Sequence, residues 1–313
     1  MIRMLIAASI PVITGLSTVF AAAPTSAPAA ALRQAVLPGF QADPSARVFG
    51  DRLYIYASHD LAGNRTWDNM LDFHAFVSDD ARTFEDLGQI FSVDDLTWAK
   101  QKLWAPDCAQ RDGKYYLYFA ADAQIGVAVA DSPRGPFKDA LGKPLLARKT
   151  GGLYTIDPCV FINDDDQAYL YFANANAKVG LAKLNRDMIS IDGPVQVVAM
   201  PHYHEGIWVH KHAGLYYASY PSSRGEKLAN LLEYATAESP TGPFESRGVI
   251  LDNRSRNVHG SIVHFKDQDY AVYHIQGPSP YERRTYIDQI AYNADGTIQP
   301  IGAVTAMEEQ AQK

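Results

Sequence analysis

The stretch at residues 107–118, which reads Asp-Cys-Ala-Gln-Arg-Asp-Gly-Lys-Tyr-Tyr-Leu-Tyr, decides the fold because its pattern returns along the chain. An acidic residue is followed by a short apolar stretch, a polar turn and an aromatic-rich alternating strand, which together predict a β-hairpin. The same pattern, opened by an acidic residue or a histidine, begins at Asp43, Asp157, Glu205 and His259. The sequence therefore predicts five related hairpins.

A second pair of strands follows each hairpin. The third strand of each unit opens near Phe73, Ile125, Val179, Leu231 and Tyr286, at intervals of 52, 54, 52 and 55 residues. Four short strands repeated at such a period are typical of the blade of a β-propeller. We therefore predict an all-β fold, a five-bladed β-propeller with four antiparallel strands per blade. A two-sheet sandwich also has many short strands, but it does not predict five nearly equal intervals.

Composition and charge limit the possible functions. Of 313 residues, 47% are hydrophobic and only 20% are charged, which indicates a globular chain with a core. The repeat extends over nearly all of the chain beyond the first thirty residues, so we predict a single propeller catalytic domain at residues 31–313. The net charge is −7 and no block of Lys and Arg stands out, which argues against nucleic acid as a partner.

The first thirty residues have the composition of a signal peptide followed by a disordered lead-in. Arg3 precedes an apolar run at residues 5–20, and three alanines at 21–23 suit cleavage. Pro11 and Gly15 interrupt this run, which is also short for a membrane span, so we expect no membrane anchor. Export to the periplasm or the medium is predicted. Cys108 and Cys159 stand in apolar strands and are predicted to be buried free thiols, although pairing stays open.

The residues that open the five repeats are candidates for a functional site. The first strand of each propeller blade lines the central channel, so Asp43, Asp107, Asp157, Glu205 and His259 should face a shared pocket. A single Asp before Pro is often only a turn residue. Carboxylates gathered in a partly dry site raise one another's pKa, and such clusters carry chemistry or bind a cation.

Five short motifs in order resemble glycoside hydrolase family 43. They are Ala-Asp-Pro-Ser at 42–45, Leu-Trp-Ala-Pro-Asp at 103–107, Ile-Asp-Pro at 156–158, His-Glu-Gly-Ile-Trp at 204–208 and His-Gly-Ser-Ile-Val at 259–263. The resemblance implies a five-bladed propeller that acts on plant polysaccharides with inversion. It implies an exo-acting glycoside hydrolase that releases terminal α-L-arabinofuranose or β-D-xylose from arabinoxylan, arabinan or xylo-oligosaccharides.

By this resemblance, Asp43 is the general base, Glu205 is the general acid, and Asp157 orients the acid and tunes its pKa. Inverting hydrolysis needs one carboxylate that activates water and one protonated carboxyl that protonates the leaving oxygen, about 6.5 to 9.5 Å apart. Residues from different blades that face one channel can provide this separation.

The resemblance also implies further site residues. Trp104 would be a platform for a sugar face, while Trp208 is either a second wall or a core residue. Arg284 would lie near the sugar and the acid, or on the surface. His259 would hold a hydrated calcium ion or play a structural part, and Asp107 would support the pocket.

Three other functions stay open at this stage. An endo-acting arabinanase would need an open groove instead of a pocket. A sugar-binding propeller without catalysis is the alternative from another class, because a propeller is a scaffold that serves many functions. A fructan-processing enzyme would be retaining, with its two carboxyl groups only about 5 to 5.5 Å apart.

Overall fold

The five sheets that the repeat predicts are present in the structure, a computed structural model that describes residues 31–173, 177–222, 231–253 and 257–306. Within these ranges the sheets are arranged as the blades of a β-propeller, so the predicted all-β, five-bladed fold is confirmed. The predicted signal peptide and lead-in, residues 1–30, lie outside the described residues.

Blades 1 to 3 are four-stranded antiparallel sheets whose strands follow one another in chain order. A short strand, β1 (Ala31–Arg33), comes first. Blade 1 then contains β2 (Phe40–Phe49), β3 (Arg52–Asp60), β4 (Asp72–Ser78) and β5 (Glu85–Ser92). Blade 2 contains β6 (Trp104–Arg111), β7 (Lys114–Ala121), β8 (Gln124–Ala130) and β9 (Lys138–Asp139), and blade 3 contains β10 (Cys159–Ile162), β11 (Ala168–Phe172), β12 (Lys178–Leu184) and β13 (Ile191–Ala199).

Blades 4 and 5 depart from this plan at their outer edges. Blade 4 contains the antiparallel strands β14 (Trp208–His212), β15 (Leu215–Ser222), β16 (Leu231–Ala237) and β17 (Glu245–Asp252). Within the described ranges, blade 5 contains three antiparallel strands in place of the predicted four. They are β18 (Gly260–Phe265), β19 (Gln268–Gln276) and β20 (Arg283–Ile290). A last strand, β21 (Gly302–Ala306), pairs in parallel with β17, and β1 pairs in parallel with β21.

The segment between β1 and β2 occupies the outer edge of blade 5. The backbone N–H of Val36 donates to the carbonyl of Thr285 at 2.9 Å, and Arg33 forms an ion pair with Asp288 at 2.7 Å. An uncovered outer strand would present unpaired N–H and C=O groups to other chains. The residues that flank the repeat therefore cover the edges of the last two blades.

Apolar side chains fill the seams between neighbouring blades, so the core is divided among them. Phe73 of blade 1 and Phe119 of blade 2 pack with ring centroids 6.0 Å apart. Because side chains alternate along a strand, Tyr56 enters the seam with blade 2, whereas Ile55 enters the seam with blade 5. These seams hold the innermost strands around a common axis.

The two cysteines are buried and free, as the sequence predicts. Burial raises the pKa of the Cys159 thiol to about 12, so this group stays protonated and unreactive. None of the short helices in the described ranges has the length and apolar character that a membrane-spanning helix needs.

Candidate active site

Three blades present an axial residue from the same backbone conformation. Asp43, Ala105 and Asp157 each precede a proline and adopt left-handed φ angles of 49°, 46° and 54°. In blades 1 and 2 the strand register shifts across this dipeptide, which marks a β-bulge. A bulge changes the direction of the side chain that it carries. Asp43 and Asp157 reach the axial pocket, whereas blade 2 has Ala105 at the equivalent position.

These axial residues enclose a pocket with a cavity volume of about 110 Å³. Its lining comprises three carboxylates, three other polar side chains and four apolar or aromatic side chains. They are Asp43, Asp157 and Glu205, then Asn257, His259 and Arg283, and finally Trp67, Met70, Trp104 and Ile156. The pocket therefore combines acid groups with an apolar wall.

Asp43 is held as an anion. Arg283 donates from its terminal nitrogen to Asp43 Oδ1 at 2.9 Å, and Asp60 accepts from the Nε and the other terminal nitrogen of the same guanidinium, both at 2.9 Å. Burial opposes ionisation of Asp43, but the Arg283 charge and the contact with His259 hold the pKa of Asp43 well below its ordinary value. An ionised carboxylate in this position can accept a proton.

A chain of hydrogen bonds connects Asp43 with Glu205. The backbone N–H of Asp43 donates to Nδ1 of His274 at 3.0 Å, so the ring proton of the neutral imidazole is on Nε2. His274 Nε2 lies 2.7 Å from Oδ1 of Asn257, and Asn257 Nδ2 donates to Glu205 Oε1 at 2.7 Å. Burial and the Arg283 charge lower the pKa of His274, which keeps this relay in one protonation state.

Asp157 and Glu205 form the second acid group of the pocket. Asp157 Oδ2 accepts from the backbone N–H of Gly206 at 3.0 Å. Burial raises the pKa of Asp157 to about 7; the charge of His259 opposes this rise, and the carboxylates of Glu205 and Asp43 add to it. Asp157 can therefore retain a proton near neutral pH, while Asp43 on the other side of the pocket is ionised.

Gly206 leaves room for the His259 ring, which contacts Asp43. Its φ angle is 50°, and a Cβ at this position would lie only 2.8 to 2.9 Å from the atoms of the His259 ring. His259 Nδ1 lies 3.5 Å from Asp43 Oδ1. Burial opposes charge on His259, but this contact and the surrounding carboxylates raise its pKa. The imidazole thereby lies between the two acid groups.

The apolar wall comes from two tryptophans and the loop between β3 and β4. Trp104 donates from Nε1 to the carbonyl of Trp67 at 2.8 Å, which fixes its ring against the loop. The ring of Tyr281 packs edge-on against Trp67, with centroids 4.9 Å apart. Aromatic rings held in this way offer flat apolar surfaces beside the acids.

Comparison with known proteins identifies the family. A family model described as glycosyl hydrolases family 43 matches residues 32–298. The chain belongs to glycosyl hydrolases family 43. The match includes the pocket and all five blades, so the resemblance predicted from the motifs is confirmed. The protein is a glycoside hydrolase.

Relatives within family 43 include enzymes for both pentoses. The chain is 34% identical to a xylosidase/arabinosidase of Bacteroides ovatus, over 84% of this chain and 95% of the relative. It is 36% identical to the GH43_1 enzyme of Xanthomonas citri crystallised with xylotriose, with a TM-score of 0.77 over 87% of this chain and 94% of the other. An α-L-arabinofuranosidase of Clostridium thermocellum is 38% identical, with a TM-score of 0.73 over 83% and 92% of the two chains.

The structure brings five of the predicted site residues together in the family 43 pocket. They are Asp43, Asp157, Glu205, Trp104 and His259. Their individual roles stay predictions. The other three predicted residues, Asp107, Trp208 and Arg284, do not line this pocket.

The structure places Arg283, and not Arg284, in the pocket, which corrects the expected position of Arg284. Successive side chains of a strand point to opposite faces, and β20 directs Arg283 to the pocket. The Arg284 guanidinium lies over the ring of Phe40, 4.5 Å from its centroid, and donates to the carbonyl of Gly39 at 3.2 Å. Arg284 therefore contacts the outer segment before β2 instead of a sugar.

Asp107 joins three blades through hydrogen bonds and does not line the pocket, so the structure gives it no contact with a substrate there. Its Oδ1 accepts from Ser45 Oγ at 2.6 Å, and its Oδ2 accepts from Arg47 at 2.6 Å and from the backbone N–H of Val160 at 2.6 Å. Asp107 lies two residues after Ala105, the residue equivalent to Asp43. It therefore lies deeper along the axis than the carboxylates of the pocket.

Trp208 belongs to the same deep layer. Its ring is buried, it donates from Nε1 to the carbonyl of Ile262 at 2.7 Å, and the Arg47 guanidinium lies 4.0 Å from its centroid. Trp208 lines a second cavity, of about 410 Å³, beyond this layer. The core alternative considered for Trp208 is the correct one.

Several site residues were missed by the sequence analysis. Trp67 had a usable signal, because a large aromatic residue in the polar loop between β3 and β4 is unusual. Arg283 had a signal in its neighbour Arg284, but Asp60, Asn257 and His274 carry no local signal. Their importance comes from contacts with residues far away in the chain.

Proposed function

We propose that this protein is an exo-acting, inverting glycoside hydrolase that releases terminal α-L-arabinofuranose and β-D-xylose from hemicellulose fragments. The observation that carries the proposal is the division of charge within one pocket. Asp43 is held as an anion by Arg283, whereas burial raises the pKa of Asp157, beside Glu205, to about 7. Glycoside hydrolysis requires one ionised carboxylate and one carboxyl that supplies a proton, and the resemblance to family 43 implies that the outcome is inversion.

In this mechanism, Asp43 takes a proton from a water molecule as the water oxygen attacks the anomeric carbon. Glu205 gives a proton to the glycosidic oxygen as the bond to the anomeric carbon breaks. Asp157 orients the acid. Asn257 positions the Glu205 carboxyl, and Arg283 keeps Asp43 ionised.

The relatives support pentose substrates. The Bacteroides ovatus protein is named for both xylosidase and arabinosidase activity, the Xanthomonas citri enzyme was crystallised with xylotriose, and the Clostridium thermocellum enzyme is an α-L-arabinofuranosidase. A pocket walled by Trp67 and Trp104 favours a terminal sugar over the middle of a polymer. An exo mode of action agrees with this shape.

The test is a panel of substrates that comprises aryl α-L-arabinofuranosides, aryl β-D-xylosides, xylotriose and arabinoxylan oligosaccharides. Proton NMR identifies the anomer of the sugar that is released first. We expect monosaccharide release with inverted configuration. Asp43→Asn and Glu205→Gln should each lower kcat by about 10³-fold or more with the fold intact by circular dichroism. Asp131→Asn, which changes an exposed carboxyl, is the control.

Other results would contradict the proposal in distinct ways. Internal cleavage of arabinan would indicate an endo-acting arabinanase. Saturable sugar binding without release of reducing ends would indicate a non-catalytic binding protein. A first product of retained configuration would indicate a nucleophilic mechanism with a covalent intermediate.

We also propose that a hydrated calcium ion binds beside His259. The donor groups fit such an ion, since three carboxylates of the pocket offer oxygen ligands and water between the ion and the His259 imidazole would complete an oxygen shell. The ion would supply positive charge that orients these carboxylates. Treatment with EGTA should lower kcat/KM, and added Ca²⁺ should restore it; unchanged activity after removal of calcium to below one tenth of an equivalent would contradict this proposal.

Export is the remaining proposal about the whole protein. It is supported by the apolar and alanine-rich composition of residues 1–30. N-terminal sequencing of protein recovered from the periplasm and the medium should show cleavage near residues 21–23. An intact Met1 on active protein in the cytoplasm would contradict it.

A further inference from the structure

A second cluster of potential metal ligands lies outside the catalytic pocket, on blade 1. His59 Nδ1 is 2.9 Å from Asp72 Oδ1, and His74 Nε2 is 3.7 Å from Asp72 Oδ2. One ligand atom from each of these three residues lies within 4.8 Å of the other two. Tetrahedral zinc with bonds of about 2.0 Å needs neighbouring ligand atoms about 3.3 Å apart. The two distances from the histidines to Asp72, 2.9 and 3.7 Å, lie on either side of this value.

The sheet register puts the three residues on one face. His59 lies at the end of β3, and Asp72 and His74 are two residues apart on β4, which pairs with β3. Residues two apart on a strand share a face, as do residues directly opposite each other on paired strands. Their side chains are between 20% and 26% exposed, so an ion can reach them from solvent.

Two polar atoms beside the cluster have no hydrogen-bond partner in the part of the chain that the structure describes. Gln41 stands opposite His59 in the register of β2 and β3, and its buried Oε1 has no hydrogen-bond partner among the described residues. His74 Nδ1 is also buried without a hydrogen bond in the described ranges, and it lies 3.9 Å from Asp86 Oδ1. A metal-bound histidine usually directs its other ring nitrogen towards a carboxylate.

We propose that His59, Asp72 and His74 bind a divalent transition-metal ion, with zinc as the best match. Two imidazoles and one carboxylate suit Zn²⁺, Co²⁺, Ni²⁺ or Cu²⁺, whereas Ca²⁺ prefers an all-oxygen set. Water or the Gln41 side chain would complete the coordination.

The site lies at the base of the loop between β3 and β4. His59 is next to Asp60, the last residue of β3, and Asp72 is the first residue of β4. The loop between them carries Trp67 and Met70 into the catalytic pocket. A metal ion that joins both ends of this loop would hold it in place, so metal binding is coupled to the shape of the apolar wall.

The test uses the full chain after removal of metal with EDTA. Titration with Zn²⁺ by calorimetry should show one equivalent bound, with Ca²⁺ in excess to occupy any calcium site. A hundredfold excess of Zn²⁺ over Kd should raise Tm by about 5 °C. Co²⁺ should give the visible absorption of a four-coordinate ion with nitrogen ligands. If the wild-type chain does not bind one equivalent of Zn²⁺, the proposal is overturned.

Matched variants separate this cluster from other histidines. His74→Gln should weaken zinc binding by more than about tenfold and abolish the Co²⁺ absorption. His264→Gln is the control, because His264 pairs with Asp269 at the same 2.9 Å but with no third ligand in the described ranges. Asp72→Asn keeps the side-chain shape and should also weaken binding. Unchanged binding in His74→Gln or Asp72→Asn, with the wild-type circular dichroism spectrum, would place the ion elsewhere and refute the site.

Discussion

At the scale of single residues, charge balance decides how the pocket works. Asp43 and the Asp157 and Glu205 pair are all carboxyl groups, but their surroundings differ. Arg283 lies against Asp43, whereas Asp157 is buried beside other acids and one backbone N–H. The same chemical group therefore has a lowered pKa at Asp43 and a raised pKa at Asp157.

Two adjacent arginines provide a matched test of this charge balance. Arg283→Lys cannot contact Asp43 and Asp60 together, because an ammonium lacks the planar fork of a guanidinium. We expect kcat/KM to fall by about 10- to 100-fold and the acid limb of its pH profile to move to higher pH, as the pKa of Asp43 rises.

Arg284→Lys is the control, since this side chain contacts Gly39 and Phe40 outside the pocket. Its kcat/KM should stay within about twofold of wild type. If kcat/KM for the same aryl glycoside falls more in Arg284→Lys than in Arg283→Lys, then Arg284 and not Arg283 supports the base.

Asp157 should make stability depend on pH. Its pKa is raised to about 7 in the folded chain, against about 3.9 when unfolded, so its contribution is fully present below pH 4 and is lost as pH rises through 7. Asp157→Asn removes this titration and keeps an acceptor for the Gly206 N–H. The variant should be more stable than wild type by about 1 to 4 kcal/mol at pH 8, with the advantage gone at pH 4, while activity falls. Urea unfolding at pH 4 and pH 8 measures the free energy of unfolding of both proteins. A stability difference that is the same at both pH values would contradict the prediction.

At the scale of strands and blades, the deep axial layer joins elements that are separate in sequence. Asp107 on β6 contacts Ser45 and Arg47 on β2 and the backbone of Val160 on β10. Three blades therefore meet at one buried carboxylate. A group of this kind stabilises the ring and holds the strands that carry the acids.

Loss of Asp107 should therefore affect stability much more than chemistry. Asp107→Ala leaves Arg47 without its buried partner and should lower the free energy of unfolding by about 3 to 5 kcal/mol. Below the unfolding transition, kcat should stay within about threefold of wild type. Asp131→Ala, which removes an exposed partner of Lys114, should unfold like wild type. A large loss of kcat in Asp107→Ala without a change in Tm would restore a role for this residue at the substrate.

At the scale of the whole molecule, closure of the ring depends on residues outside the repeat. Leu37, between β1 and β2, is only 4% exposed and packs with residues of blades 1 and 5, such as Leu53 and Phe265. The seam between the first and last blades therefore includes a residue that belongs to neither sheet.

Leu37→Ala should accordingly behave as a core substitution. We expect the free energy of unfolding to fall by about 2 to 4 kcal/mol, because the seam between blades 1 and 5 gains a cavity. Leu61→Ala is the control, since Leu61 is 39% exposed and its loss should cost about 0.5 kcal/mol or less. Equal effects of the two substitutions in urea unfolding would show that the segment before β2 is not part of the core.

The sequence alone determined the fold class, the number of blades and five residues of the pocket. Strand periodicity and turn chemistry are local properties, and five copies of one pattern specify a ring even when each copy is weak. The motifs with Asp43, Asp157 and Glu205 could be recognised for the same reason, because each functional residue lies inside its own motif.

Only the tertiary structure decided which neighbours those residues have. Asp43 and Arg283 are 240 positions apart, and the choice between Arg283 and Arg284 depends on the register of β20 within blade 5. A shift of one residue would exchange the two faces of that strand. The repeat pattern aligns Asp107 with the residues of the pocket. The bulge at Ala105 shows that Ala105 is the equivalent of Asp43 and that Asp107 lies below the pocket. Side-chain direction in a sheet comes from pairing with distant strands, so the local pattern could not supply it.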